Sequence, residues 1–154
     1  MDPMMKYPRL RDLEPVARRR IPPFIFAYLD SGTGHDVTKA ANAARYEQLT
    51  LTPQFLRGRV DPDTSTTLLG KRYAAPFGAA PVGLSSTIWP GAERILAAAA
   101  KANGFPYTLS TVAGESIERV AAVGGDMAWF QLYAPHDRDI CFDLIRLVGT
   151  QDSM

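Results

Sequence analysis

From residue 76 onward the chain repeats one unit three times: a short apolar run, a turn, then a stretch with helical spacing. "PFGAAPVG" (76–83) reads as a small-residue strand leading into a loop. Pro90 opens a helix over 91–103 that Gly104 ends. "PYTLSTV" (106–112) reads as a second strand. Ser116 or a neighbour caps a helix through Val123, stopped by Gly124-Gly125. "MAWFQLY" (127–133) is the third strand. Asp137 can cap a helix carrying Ile140, Leu144, Ile145 and Val148, with a break expected at Gly149. Strands that alternate with helices specify a parallel sheet, because parallel neighbours need a long crossover between them. Strands covered on both faces should be near-continuously apolar, as these are.

The preceding residues have a different character. Residues 12–20 read as a short helix stopped by Pro22-Pro23. A second helix follows in "PPFIFAYLDSG", with Pro23 in its first turn and Gly32 as its C-terminal cap. Asp36 can cap a third helix, in which Val37, Ala40, Ala41 and Ala44 share a face. Leu49 and Leu51 then alternate with Thr50 and Thr52, a strand-like period. "TTLLGKRYAAPF" reads as a hairpin with Gly70-Lys71 at its turn. A chain of 154 residues is long enough for one domain with a core. Three strands cannot enclose a barrel interior, so inward residues such as Trp129 are expected to be exposed.

Charge points to no particular class of partner. Seventeen Lys plus Arg against sixteen Asp plus Glu leave a net +1, which gives no argument for nucleic acid or an acidic membrane. The basic run Arg18-Arg19-Arg20 reads as a solvated helix end. The single Cys141 excludes an intrachain disulfide, fits a reducing compartment, and reads as a packed thiol among Ile140, Phe142, Leu144 and Ile145. The chain opens without a charged and apolar leader, and its longest alanine-rich run is far short of a membrane span. The expected location is cytoplasmic, with membrane association of a longer parent left open.

In parallel α/β architectures, ligands sit beyond the C-terminal ends of the strands. Here those ends are Ala80-Pro81-Val82-Gly83, Leu109-Ser110-Thr111 and Gln131-Leu132-Tyr133. Gly83 permits close backbone approach, Ser110 supplies a hydroxyl, Gln131 an amide and Tyr133 a phenol. That set suits a planar ligand with several donors and acceptors. It holds no strong nucleophile, carboxylate pair or metal cluster. Each member also has a plain structural use: a turn at Gly83, a loop bond for Ser110, and mutual satisfaction for Gln131 and Tyr133. Three strand ends turning polar together weigh towards a ligand. His35 and His136, the two histidines, read as surface residues.

Five segments occur in an order that resembles a known family: "IPPFIFAYLDSGTGHD", "LTPQFLRGRVDPDTSTTLLGKRYAAPFGAAPVGL", "PGAE", "YTLSTVAGESIERVA" and "WFQLYAPHDRD", together spanning roughly Ala17 to Val148. They resemble the N-terminal part of the FMN-dependent α-hydroxy-acid dehydrogenases and oxidases, which include L-lactate dehydrogenase, glycolate oxidase and mandelate dehydrogenase. The resemblance implies an α/β fold, an incomplete TIM (β/α)8 barrel: N-terminal helices and hairpin plus the first three βα units over residues 1–148, with 149–154 leaving the family's pattern. A full barrel takes about 250 residues. A related flavin or phosphate-binding barrel, such as a nucleotide dehydrogenase, is not expected to combine "FQLY" with "DTSTTLLG".

The resemblance also implies roles. Tyr28 matches a tyrosine that helps hold the substrate carboxylate. Val82 and Gly83 match the loop whose backbone approaches the flavin, where threonine and alanine are frequent. Ser110 and Gln131 match residues that hydrogen-bond the isoalloxazine ring of FMN. Tyr133 matches the active-site tyrosine beside the substrate's hydroxyl or keto oxygen. Val112 stands where several relatives carry a bulky aromatic, which leaves the preferred hydroxy acid open. The implied substrate is a small L-2-hydroxy acid such as lactate, oxidised to the 2-oxo acid; relatives are often homo-oligomeric, and the electron acceptor is unspecified. The family's general-base histidine, lysine, substrate arginine and phosphate loops come later in sequence than anything here. These residues are therefore expected to be a fragment, inactive and weak in FMN binding. The alternative is a non-catalytic partial-barrel module that associates through its open sheet edge.

Overall fold

The computed structural model describes residues 6–56, 58–59 and 61–151, the side chains of 150 and 151 excepted. The chain divides into two compact units, Met1–Pro62 and Asp63–Met154.

The first unit is helical. A 3-10 turn, Leu10–Leu13, leads into α1 (Glu14–Arg20); α2 (Pro23–Asp30) and α3 (Val37–Glu47) follow. Proline stands in the first turn of both α1 and α2, where its missing N–H and fixed φ cost nothing. Phe26 is buried, with the Arg18 guanidinium 4.3 Å from its ring centroid. Two capping expectations fail here. The cap of α2 is Ser31, in extended conformation, and not Gly32. The amide of Gly32 instead donates to Asp36 Oδ1 at 2.7 Å, which takes the Asp36 side chain away from the start of α3. The alternating stretch around Leu49 and Leu51 is not a strand. Both leucines are exposed, and without a partner strand among the described residues, alternation alone does not hold a strand.

The second unit is α/β. It contains the hairpin β1 (Thr66–Leu68) and β2 (Lys71–Tyr73), α4 (Ser85–Ile88), α5 (Ala92–Asn103), β3 (Tyr107–Ser110), α6 (Ile117–Gly124), β4 (Ala128–Gln131) and α7 (Arg138–Gln151). The hairpin turn falls one residue before its expected place. The register Leu68↔Lys71 leaves Leu69 and Gly70 between the strands, at φ 51° and 80°. Positive φ at both positions is the type I′ geometry that matches strand twist.

The strands β3 and β4 pair in parallel, from Tyr107↔Ala128 to Ser110↔Gln131. The strand expected at 76–83 shrinks to a single parallel bridge, Ala79↔Tyr107. Its bonds are Ala79 N–H to Pro106 O (2.8 Å) and Thr108 N–H to Ala79 O (3.0 Å). Pro76 and Pro81 bracket that bridge and have no N–H to extend it. Gly78 lies so close to the next strand that an added Cβ would stand 2.6 Å from Pro106 O. The loop beyond contains α4, a single turn that local periodicity did not reveal. Gly104 ends α5 at φ 69°, as expected. Ser116 Oγ caps α6 by accepting from Arg119 N–H at 3.4 Å, and Asp137 Oδ1 caps α7 by accepting from Asp139 N–H at 2.9 Å. The expected break at Gly149 does not occur, since α7 continues to Gln151. One glycine costs a helix about 1 kcal/mol, too little to end it alone.

The two faces of the parallel pair differ. Tyr107 and Leu109 pack with Ala97 and Ala100 of α5 and Val120 of α6, and Phe130 of β4 joins them. The opposite face carries Thr108, Ser110, Trp129 and Gln131. Contrary to expectation, Trp129 is half-buried. The hairpin covers it: the rings of Tyr73 and Trp129 meet edge to face at 6.1 Å, and Trp129 Nε1–H donates to the Tyr73 hydroxyl at 3.1 Å. Beyond Trp129, the face ends in Ser110 and Gln131.

Candidate active site

Register assembles the polar end. Because Ser110 is the Cα partner of Gln131, their side chains emerge side by side where both strands stop. The Ser110 hydroxyl donates to Gln131 Oε1 at 3.2 Å and accepts from Val112 N–H at 3.3 Å. The plain structural use of Ser110 is therefore real, and it holds the amide as well. The Gln131 Nε2 group has no hydrogen-bond partner among the described residues. Next to Ser110, the Thr111 hydroxyl donates to the Gln131 carbonyl and accepts from Tyr133 N–H at 2.8 Å. The Tyr133 side chain is 63% exposed.

The loop after Ala79 joins the same end. Leu84 N–H donates to Val112 O at 3.0 Å, and Ser85 Oγ–H donates to Val82 O at 2.8 Å. Val82 is partly exposed and Gly83 half-buried. Thus Val82, Gly83, Ser110, Gln131 and Tyr133 belong to one end of the second unit. Tyr28 is exposed on α2 in the other unit. His35 and His136 are both exposed.

Sequence reasoning passed over one residue. Glu93 is fully buried at the second position of α5. Its Oε1 accepts from Ser86 N–H and from Gly114 N–H, each at 3.0 Å, and its Oε2 accepts from the Ser86 hydroxyl. Burial works against the charge, but the Ser86 hydroxyl, the residue's own amide and the two loop amides outweigh it and hold the carboxyl below its ordinary range. The available signal was a carboxylate in the first turn of a helix opened by Pro90-Gly91, where the helix dipole favours an anion. With its oxygens loaded by donors, Glu93 is not a proton acceptor for a ligand.

The assembled groups are a hydroxyl, a carboxamide with free donors, a phenol, and backbone at Val82-Gly83. They can orient a planar, polar ligand. Among the described residues there is no group of three His, Cys, Asp or Glu that could hold a metal ion, and no helix is long and apolar enough to cross a membrane.

Known proteins resemble this chain over most of its length. The family FMN-dependent dehydrogenase matches residues 17–152. The chain is 39% identical over 142 residues to a 4-hydroxymandelate oxidase of Amycolatopsis orientalis, an overlap of 92% of this chain and 40% of that protein. It is 42% identical over 127 residues to an L-lactate dehydrogenase of Xanthobacter autotrophicus, an overlap of 82% of this chain and 33% of that protein. A crystal structure of mandelate oxidase superposes with a TM-score of 0.86 at 37% identity, covering 95% of this chain and 42% of that one. The chain spans between a third and two fifths of the length of these curated relatives.

Proposed function

The chain belongs to the FMN-dependent dehydrogenase family, and from that membership we propose that it supplies the N-terminal wall of a flavin site in an enzyme oxidising a small L-2-hydroxy acid to the 2-oxo acid. The observation that carries this reading is the pairing of Ser110 with Gln131 at the strand ends, joined through Thr111 to Tyr133. The residues fit FMN, the family's cofactor. Gln131 Nε2 is a half-buried donor without a hydrogen-bond partner among the described residues, and Val82-Gly83 offers backbone for close approach. When bound, FMN accepts the two electrons of the oxidation.

The protein residues position and recognise. Ser110 and Gln131 hold the ring edge, and their mutual hydrogen bond fixes the amide so that its N–H2 is presented. Tyr133 hydrogen-bonds the substrate's hydroxyl or keto oxygen. The size of the side chain accepted depends on Val112, which is smaller than the aromatic residue expected there. The general base that takes the hydroxyl proton is, by the family resemblance, a histidine later in sequence. Loss of a general base typically costs 10²–10⁴-fold. A polypeptide of these 154 residues should therefore not turn over lactate or mandelate.

Titrating FMN with this polypeptide, and following flavin fluorescence, tests the wall itself. Weak quenching that Gln131→Leu abolishes is expected. Quenching indifferent to Gln131→Leu would sink the reading, and turnover of lactate by the 154 residues would remove the need for a later base. A second reading, association through the edge of β4, is favoured by one observation. Among the described residues β4 pairs on one side only. Light scattering after size exclusion distinguishes it, since a well-folded monomer counts against association.

A further inference from the structure

We propose that Glu93 is a positioning residue for the flavin wall: its carboxylate braces the loop that carries Val82 and Gly83 against the loop that follows Ser110. This rests on the flavin reading above. A buried carboxylate is costly unless donors satisfy its lone pairs. A helix N-terminus can supply some of them, yet here the loop donors come from two loops that are distant in sequence. Ser86 lies seven residues before Glu93, and Gly114 lies 21 after it. One oxygen, Oε1, receives both loop amides at 3.0 Å, so the carboxylate fixes the distance between them.

The loops touch at the brace. A Cβ added to Gly114 would stand 2.8 Å from Ser86 Cβ, so glycine permits this approach. One further bond, Leu84 N–H to Val112 O, joins the same two loops beside it. The loop held on one side begins at Val82, whose carbonyl is tied to Ser85, the residue before Ser86. The loop on the other side begins at Ser110, whose carbonyl accepts from Ala113 N–H, beside Gly114. A shift of the brace therefore reaches both proposed cofactor contacts through rigid local turns.

Length, more than charge, is the critical property. Glu93→Gln keeps the reach and an oxygen for both amides, and the Ser86 hydroxyl can turn to accept from the new amide. Glu93→Asp keeps the charge but shortens the arm by one methylene. The test is amide hydrogen exchange at Ser86 and Gly114, alongside FMN fluorescence titration and thermal melting, on the 154-residue chain. We expect Glu93→Asp to speed exchange at both amides and weaken FMN binding by about tenfold or more, with Glu93→Gln within about threefold of the parent. If Glu93→Asp does not fold, Ser86→Ala serves, with faster Gly114 exchange and weaker FMN binding expected. Unchanged exchange and FMN affinity in Glu93→Asp would overturn the proposal. So would equal losses of FMN affinity in the Asp and Gln variants that merely track their melting temperatures. If the parent chain binds no FMN while Glu93→Asp alone frees both amides, the brace stands and the flavin reading falls.

Discussion

The Thr111 hydroxyl accepts the amide hydrogen of Tyr133 at 2.8 Å while donating its own hydrogen to the carbonyl of Gln131. One side chain in the loop after β3 thus takes the place of a further strand pair. It directs the backbone as it leaves β4, and so aims the Tyr133 phenol.

Replacing Thr111 with valine keeps its shape and removes both bonds. The Gln131 C=O loses a partner at a half-buried position and the Tyr133 N–H loses one at an exposed position, which together should cost about 1 kcal/mol in urea denaturation. Tyr133→Phe should stay within about 0.5 kcal/mol, because the exposed phenol makes no hydrogen bond among the described residues. Equal costs for the two variants would contradict this division between positioning and recognition.

The hairpin is anchored by the Tyr73 hydroxyl. Tyr73→Phe retains the edge-to-face contact with Trp129 but leaves the indole N–H without its acceptor. A loss of about 1 kcal/mol is expected, with a change in the Trp129 emission. Trp89→Phe in the same background isolates that emission.

Leu69 is strained and 87% exposed, a side chain at φ 51° in a turn that favours Asn-Gly. Leu69→Asn should raise the stability of the chain by about 0.5–1 kcal/mol. A lower melting temperature would show that Leu69 makes a favourable contact that outweighs its backbone strain.

Burial, with Glu93 nearby, pushes the Tyr107 phenol from 10.0 to about 12. The folded state therefore holds this proton more tightly than the unfolded chain. The associated stability is intact below pH 10 and is lost as pH rises towards 12, by on the order of 2–3 kcal/mol. Tyr107→Phe should flatten that alkaline decline in denaturation curves taken across the range. At the acid end the sign reverses. The Glu93 carboxyl is held below its ordinary 4.5, so its contribution is present above that value and fades as pH falls. Glu93→Gln should remove that part of the acid loss.

Much of the second unit was legible locally. The alternation of strand and helix, the Ser116 and Asp137 caps and the Gly104 stop all depend on residues within a turn of one another, so periodicity and side-chain chemistry exposed them. The misses have a common cause. Asp36 and Gly32 chose each other over the helix ends, Leu49 and Leu51 found no sheet to join, and Gly149 was too cheap to end a helix. In each, a single-residue preference was outweighed by an energy that residue type alone does not show: a competing bond, a missing sheet or the rest of a long helix. Ser110, Gln131 and Tyr133 stood out as polar ends of apolar strands. Glu93, inside the motif "PGAE", gave only a helix-start signal, because its donors come from loops before and after it.

The amino-acid sequence by itself determined the α/β order of the second unit, the family, and the polar character of the strand ends, since these are written in spacing and residue type. Tertiary structure alone decided that the first strand would be a single bridge, that Tyr73 would cover Trp129, and that Ser86 and Gly114 would meet on one oxygen of Glu93. Those outcomes follow from backbone register and close approach between segments remote in the chain. A buried carboxylate must draw its donors from whatever the fold brings within 3 Å of it.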